Sequence, residues 1–423
     1  MSRAELLVSW ARDARRRTLE LIDDLADERL LGPQLPTVNP PLWEIGHLAW
    51  FQERWLLRRG GGPSLRADAD ALYDSAGVAH STRWGLGLPS RRDTLAYTRQ
   101  VLDRVSEKLG GGAVSEEDAY FSRLATFHED MHGEAFAYTR QTFGYPPPRF
   151  AAAGQGSADG AGPLPGDVVV PGGRFLLGAR PGAEPFVFDN EQWAHPVELR
   201  PFAIARAPVT QAEFAAFAEE DGYRRRELWG EAGWAWREVA GALHPVYWRR
   251  EGPGRWLRRD FDRWVRLEPH RPVLHVNWYE AEAYCRWAGR RLPTEAEWEV
   301  ASGGSERRFP WGDGTPSAEL ANLDGAALGC LDVAACAAGD GPHGCRQMIG
   351  NVWEWTADDF RPYPGFEVGP YREYSAPWFG DHKVLRGGCW VTRGRLLRNT
   401  WRNFYKPDRR DVWAGLRTCA PAP

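Results

Sequence analysis

Residues 127–134, FHEDMHGE, place two histidines, His128 and His132, four positions apart. On an α-helix that spacing puts two side chains one turn apart on the same face, so both imidazoles can bind a single metal ion. The same face carries apolar residues such as Leu124, and an imidazole buried there costs free energy unless it has a partner. The stretch therefore predicts a helix whose inner face carries two metal ligands.

A third histidine, His47, lies upstream among aromatic residues in the stretch 43–50, WEIGHLAW. Glu134 could instead complete the two-histidine, one-carboxylate set of non-heme iron oxygenases. It points away, however, because two positions beyond His132 correspond to the opposite side of a helix. We predict His47, His128 and His132 as the metal ligands. Spacing alone does not choose between zinc and iron, and an isolated core histidine is more often simply hydrogen-bonded.

Four helical segments account for the first 150 residues. Apolar periodicity and capping residues predict helices over 3–25, about 41–59, about 90–110 and about 115–144. Polar or glycine-rich stretches connect them, which is typical of a helix bundle, and the core of a bundle is a usual place for a metal ion.

The character of the chain changes after residues 151–166, which are Ala, Gly, Ser and Pro almost throughout and predict a linker. Short strands are expected around 172–178 and 197–199. Three capping boxes then mark helix starts: Thr210/Glu213, Asn277/Glu280 and Thr294/Glu297. The predicted organisation is an α+β protein with a helical domain over 1–150 and a loop-rich domain over 167–423.

Composition excludes several classes of function. The chain has 423 residues and a net charge of −4 with both signs interspersed, which gives no footprint for nucleic acid or an anionic membrane. Its apolar runs are too short to cross a bilayer, and residues 1–5 lack the apolar core of a signal peptide. Six cysteines do not indicate a disulfide scaffold. We expect a cytoplasmic protein that acts on small molecules.

Three motifs of the second domain resemble the formylglycine-generating-enzyme (sulfatase-modifying factor) fold, a C-type-lectin-like fold. They are RLPTEAEWE at 291–299, GNVWEW at 350–355 and RGG at 386–388. The bundle, with its Gly46-His47-Leu48 and FHEDMHGE stretches, resembles the DinB-like four-helix domain. Together the two halves resemble the ergothioneine-type sulfoxide synthases over nearly the whole chain.

That resemblance implies a chemistry. In the family, three histidines matching His47, His128 and His132 hold iron(II) (Fe2+), and iron and O2 join sulfur to the imidazole C2 of hercynine, the trimethylated betaine of histidine. The resemblance places Asn403 against hercynine and Arg83 and Arg409 on the donor side.

Aromatic residues complete the implied site. Trp401 and Phe404 could hold the trimethylammonium group through their ring faces, or could simply be core. The family uses a tyrosine as proton donor, and Tyr374 and Tyr371 are the candidates here.

Two departures from the family concern the donor. Met131 stands where a glutamine commonly precedes the second histidine of the pair, and Tyr405 stands where an aspartate helps to hold γ-glutamylcysteine. A tyrosine hydroxyl suits a neutral, hydroxyl-rich donor. The stretches 127–132, 344–350 and 399–405 are similar to the selenoneine synthase branch, which couples hercynine to a selenosugar. A C–Se bond is therefore expected, with γ-glutamylcysteine or cysteine as the alternative donor.

The sequence supports two other functions less well. A formylglycine-generating oxidase binds copper through a cysteine pair near its C-terminus, but the stretch 390–406 contains no cysteine. A non-catalytic lectin-like module with a structural zinc would need four ligands, whereas three convergent histidines favour an open, reactive site.

Overall fold

The computed structural model describes residues 1–151 and 160–421 and divides the chain into two compact units, Met1–Ala151 and Ala152–Pro423. Residues 152–159 of the predicted linker lie outside the described residues. Within the described ranges, no helix is both long enough and apolar enough to cross a membrane.

The first unit is built from four long helices and one short one. They are α1 (Arg3–Glu20), α2 (Pro41–Gln52), α3 (Ala69–Tyr73), α4 (Arg91–Gly110) and α5 (Glu116–Phe143). Helix α2 packs on α4, and α1 packs on α5. The four-helix prediction is therefore confirmed, and α3 is the short element that sequence periodicity did not predict.

Local chemistry sets most of the helix ends. The Ser90 and Ser115 hydroxyls accept from the backbone N–H groups of Asp93 and Asp118, at 3.2 and 3.0 Å. Gly144 ends α5 in the left-handed conformation with φ of 67°, where glycine has no Cβ penalty.

Two of the predicted helix ends are wrong. Helix α1 stops five residues before the predicted end, because Asp23 and Asp24 are unfavourable at the negative end of a helix dipole. Helix α2 continues as a π-helix, Glu53–Leu57, instead of running on as α-helix.

The second unit mixes short strands and helices. Its helices are α6 (Gln211–Glu219), α7 (Glu231–Ala240), α8 (Trp278–Trp287) and α9 (Glu295–Ala301). Its strands are β1 (Asp167–Val170), β2 (Gly173–Leu177), β3 (His195–Leu199), β4 (Phe202–Ala205), β5 (Trp248–Gly252), β6 (Arg255–Asp260), β7 (Arg263–Arg266), β8 (Trp353–Asp359), β9 (Lys383–Arg386), β10 (Asn403–Tyr405) and β11 (Ala414–Leu416).

Four of these strands form a sheet in the order β10-β9-β8-β11. In this sheet β8 and β11 are parallel, and the other neighbouring strands are antiparallel. Strands β5, β6 and β7 form a separate antiparallel sheet, and β1–β4 and β2–β3 are two-stranded ribbons. All three predicted capping boxes are present, at the starts of α6, α8 and α9. The predicted strands at 172–178 and 197–199 correspond to β2 and β3.

Buried ion pairs hold the second unit together. Glu295, at the start of α9, accepts from Arg386 of β9 at 2.9 Å and from Arg402 beside β10 at 2.7 Å. Arg386 also pairs with Glu299, and Glu354 of β8 pairs with Arg417 at a distance of 2.9 Å. We call these residues the arginine–glutamate network. Because each charge is matched, the desolvation of its members is offset by attraction and hydrogen bonds.

Candidate metal centre

Helix α2 carries His47 and begins at Pro41, whose fixed φ suits the first position of a helix. A Cβ on Gly46 would lie 2.2 Å from the ring of Tyr73, so only glycine lets α3 pack this closely. The His47 ring is buried, and the ring of Trp43, one turn earlier, stacks on it at 4.8 Å between centroids. The backbone and its neighbours therefore fix the position of His47.

Helix α5 carries the other two histidines. His128 is buried and stacks on Phe51 of α2 with 3.7 Å between ring centroids and 5° between ring planes. The His132 ring lies 4.5 Å from that of His128, and its side chain remains 19 % exposed. The i, i+4 spacing thus places both rings on the face of α5 that meets α2.

The three histidines form one cluster. His47, His128 and His132 each offer a ring nitrogen, and these nitrogens all lie within 4.8 Å of one another. A metal ion about 2.1 Å from each nitrogen would span pairs up to about 4.2 Å apart, so small side-chain shifts suffice for the three to share one ion. Among the described residues, the group that could hold a metal consists of these three histidines and does not include Glu134.

Hydrogen bonds fix the tautomer of two of the rings. Nδ1 of His47 lies 2.8 Å from the backbone carbonyl oxygen of Tyr73, which can only accept, so Nδ1 carries the proton. Nδ1 of His132 is hydrogen-bonded in the same way to the carboxylate of Glu44. In both rings Nε2 keeps its lone pair and can bind a metal.

Burial keeps the inner rings neutral. Burial lowers the pKa of His47 well below its ordinary value, and the neighbouring His132 lowers it further. The pKa of His128 is lowered for the same reasons, with His47 as an added cause. Neutral imidazoles are the form that binds metal ions, so the cluster has the donor chemistry of a three-histidine site.

In the second unit, four predicted residues lie in one aromatic cluster. The rings of Tyr374 and Phe404 are 5.8 Å apart, and those of Tyr371 and Tyr374 are 5.9 Å apart. The indole N–H of Trp401 donates to the Tyr374 hydroxyl at 3.4 Å. Trp401 is buried and Phe404 is half-buried with one face stacked on Phe360 at 4.0 Å, so Phe404 presents more of its ring to a ligand.

Comparison with known proteins gives the family. Residues 153–422 match the sulfatase-modifying factor enzyme 1-like domain, and residues 11–135 match the DinB superfamily. The hercynine oxygenase of Mycolicibacterium thermoresistibile is 39% identical, with 96% of this chain and 92% of that protein covered. The hercynine oxygenase of Mycobacterium tuberculosis is 38% identical, with 99% of each chain covered. The chain belongs to the hercynine oxygenase family.

Membership of the hercynine oxygenase family makes the chain an enzyme, an oxidoreductase. The formylglycine-generating enzyme of Streptomyces coelicolor is 36% identical, but it covers only 57% of this chain. The cysteines of the chain are all free thiols, and of the six only Cys336 is not buried.

Both arginines that the family resemblance placed on the donor side already have partners within this hercynine oxygenase homologue. Arg83 is buried, stacks on Trp43 at 3.8 Å and donates to the side chain of Asn39 at 2.6 Å. Arg409 pairs with Asp411 at 2.6 Å. Each guanidinium is therefore held in place before any ligand binds.

The remaining predicted residues are all half-buried. Asn403 is half-buried, and its side-chain oxygen accepts from the backbone N–H of Phe404 at 2.8 Å, which leaves its amide N–H groups to donate. Tyr405 is half-buried beneath the guanidinium of Arg409, 5.1 Å from the ring centre. Met131 is half-buried and directly precedes His132 on α5.

Sequence reasoning missed the residues that support the histidines: Trp43, Glu44, Phe51 and the Tyr73 carbonyl. Glu44 had a usable signal, because it lies three positions before His47 and thus on the same face of α2. The Tyr73 carbonyl had none, since any residue type supplies a backbone oxygen.

Proposed function

We propose that this chain is an iron(II)- and O2-dependent enzyme that joins a chalcogen donor to the imidazole C2 of hercynine. The observation that carries the proposal is the cluster of three histidines in a chain that aligns from end to end with proteins named hercynine oxygenase. His47, His128 and His132 would hold the metal. When bound, iron(II) supplies open positions for O2 and substrate, and redox chemistry that no side chain provides.

Hercynine would be held by the aromatic cluster and the residues beside it. Its trimethylammonium group is a cation without hydrogen-bond donors, so an exposed ring face is the best partner for it. Phe404 offers such a face, whereas Trp401 is too buried to offer much of its own. The free amide N–H groups of Asn403 suit the carboxylate of hercynine. Met131 would contact substrate beside His132.

Tyr374 is the better of the two proton-donor candidates. Burial raises the pKa of Tyr374, so its phenol carries its proton at neutral pH. The hydrogen bond from Trp401 and the stacking of Phe188 at 4.3 Å hold the ring in place. Tyr371 lies beside Tyr374, with 5.9 Å between the two ring centroids, and is the second candidate.

For the donor, we propose a selenosugar, and the specific support is charge. An amino-acid donor such as γ-glutamylcysteine carries carboxylates, which need unpaired cations to bind them. Asp411 already neutralises Arg409, and Tyr405 offers a neutral hydroxyl. On the Arg409 side, these features favour a neutral, hydroxyl-rich donor. The alternative, C–S bond formation with γ-glutamylcysteine or cysteine, fits the family membership at least as well.

The experiment is a donor competition. The full chain is loaded with iron(II) under anaerobic conditions, exposed to air with hercynine, and offered equal concentrations of a 1-seleno-sugar, γ-glutamylcysteine and cysteine. Mass spectrometry then identifies the product. We expect the C–Se product; turnover of a thiol with the selenosugar ignored would overturn the selenium assignment. Absence of any hercynine product, with iron bound, would overturn the enzymatic proposal itself.

A further inference from the structure

Glu44 is a buried polar residue of α2 that contacts the three-histidine cluster. It is 1% exposed, and one carboxylate oxygen, Oε1, accepts from Nδ1 of His132. We propose that Glu44 is the positioning residue of the metal centre, holding the His132 ring in the tautomer and orientation that keep Nε2 toward the metal. The inference rests on the proposed role of the triad as the iron site and goes beyond it by naming what orients one ligand.

The placement of Glu44 comes from helix geometry. It lies three positions before His47, so α2 presents a metal ligand and the support of a second ligand on the same face. His132 needs that support more than the other two histidines, because it is the one ring of the triad that is partly exposed. An imidazole without a fixed partner rotates about χ2 and exchanges tautomers, which lowers its affinity for a metal.

Comparison with Glu53, the residue directly after the end of α2, argues against a purely structural role for Glu44. Glu53 is also fully buried, but both of its oxygens accept: from Tyr97 on one side, and from Ser64 and the Leu65 backbone N–H on the other. A buried carboxylate satisfied in this way is what folding alone favours.

Glu44 is satisfied less well. Its second oxygen, Oε2, is buried and has no hydrogen-bond partner among the described residues. Arg83 feels the charge of Glu44: burial lowers the pKa of Arg83, and the Glu44 carboxylate opposes that shift. No ion pair with Arg83 within 4.0 Å is present in the described ranges. A buried carboxylate with one unpaired oxygen costs stability, so its use at His132 gives it a functional explanation.

The test measures metal binding without substrate. Metal-free full chain is titrated anaerobically with iron(II) against a competing chelator, comparing wild type with Glu44→Leu, which removes the acceptor at similar volume. We expect iron(II) affinity to fall about 10- to 100-fold, the usual effect of removing the partner of a metal-binding histidine. The matched control is Glu53→Gln, which should lower the melting temperature of the metal-free protein and leave affinity within about threefold.

A second readout separates positioning from general damage. In 15N-labelled metal-free protein at neutral to alkaline pH, the NMR signals of His132 should show the proton on Nδ1 in wild type and on Nε2 in Glu44→Leu. If Glu44→Leu fails to fold, Glu44→Gln keeps volume and an acceptor oxygen but no charge, and we expect about a tenfold loss of affinity.

Wild-type affinity and an unchanged His132 tautomer in the folded variant would overturn the inference. Neither measurement uses hercynine. A chain that binds iron(II) through a Glu44-supported triad but leaves hercynine unreacted would therefore defeat the proposed function alone.

Discussion

The histidine triad, of which two rings are buried, and the arginine–glutamate network both contain buried ionisable side chains, but the pKa shifts of these side chains have opposite consequences for charge. In the network, burial would raise the pKa of Glu295, but Arg402 and Arg386 outweigh it and lower that pKa, so the residue stays ionised. In the triad, burial and neighbouring histidines lower the pKa of His47 and His128, so these rings stay neutral. Paired charges hold a fold together, whereas neutral groups with free lone pairs leave binding capacity for a ligand.

We expect the largest effect on iron(II) binding when one histidine of the triad is removed. His128→Ala should reduce iron(II) affinity beyond the roughly 100-fold typical of supporting residues, and abolish turnover, because a ligand itself is lost. The metal-free variant should remain folded, since no charge is left unpaired. Chelator competition and circular dichroism measure the two effects. His80→Ala is the control: His80 lies in the same unit, hydrogen-bonded to the Val38 carbonyl, and its loss should leave affinity unchanged.

A substitution in the arginine–glutamate network should lower the stability of the fold and leave iron(II) affinity unchanged. Arg386→Met leaves Glu299 as a buried carboxylate without its arginine and removes one of the two arginine partners of Glu295. We expect a loss of roughly 3–5 kcal/mol in the free energy of unfolding. Urea denaturation followed by tryptophan fluorescence measures it. Iron(II) affinity of the folded variant should not change. The exposed Arg200, replaced by Met, should cost well under 1 kcal/mol; an equal loss at both positions would contradict the role of the network.

A smaller change tests the packing behind His47. In Gly46→Ala the new methyl group would meet the Tyr73 ring, and we expect a loss of about 1–3 kcal/mol together with weaker iron(II) binding. Gly133→Ala on α5 is the matched control. Its Cβ would meet Leu21 at an ordinary 3.8 Å, so the helix should gain about 0.5–1 kcal/mol. Destabilisation by both substitutions would show that the helices tolerate no added methyl group.

The last effect depends on pH and concerns a buried histidine outside the triad. Burial, and to a lesser extent Arg258, lowers the pKa of His275 from 6.5 to about 3. Between these values the unfolded chain binds a proton that the folded chain does not, so stability falls as pH falls, by about 1.4 kcal/mol per pH unit. His275→Asn, which tolerates the local φ of 60°, should reduce that slope between pH 6 and 4. Urea titrations across this range check it; an unchanged slope would mean that His275 is protonated while folded.

Features that depend on residues close together in the sequence could be predicted, and features that depend on residues far apart in the sequence could not. The triad was predictable because His128 and His132 are four residues apart, and because capping residues such as Ser115 act within one turn. The sheet order β10-β9-β8-β11 was not, because it depends on pairings between distant segments that no local pattern encodes.

Within the site, the same distinction applies. Glu44 and His132 are far apart in sequence, and their hydrogen bond exists only once α2 and α5 have packed. The partners of Arg83 and Arg409 were likewise hidden from sequence, since the resemblance gives each arginine a role but not its neighbours. The residue types could be predicted, and their pairing could not.

One contact in the first unit has an evolutionary consequence. The proton on Nδ1 of His47 is held by a main-chain oxygen of Tyr73, while that of His132 is held by the side chain of Glu44. No single-codon change deletes a peptide carbonyl, but one nucleotide substitution converts a glutamate codon to glutamine, glycine or lysine. If the triad holds a metal as we propose, natural variation in metal selectivity among relatives should therefore accumulate at the support of His132, with the support of His47 remaining fixed.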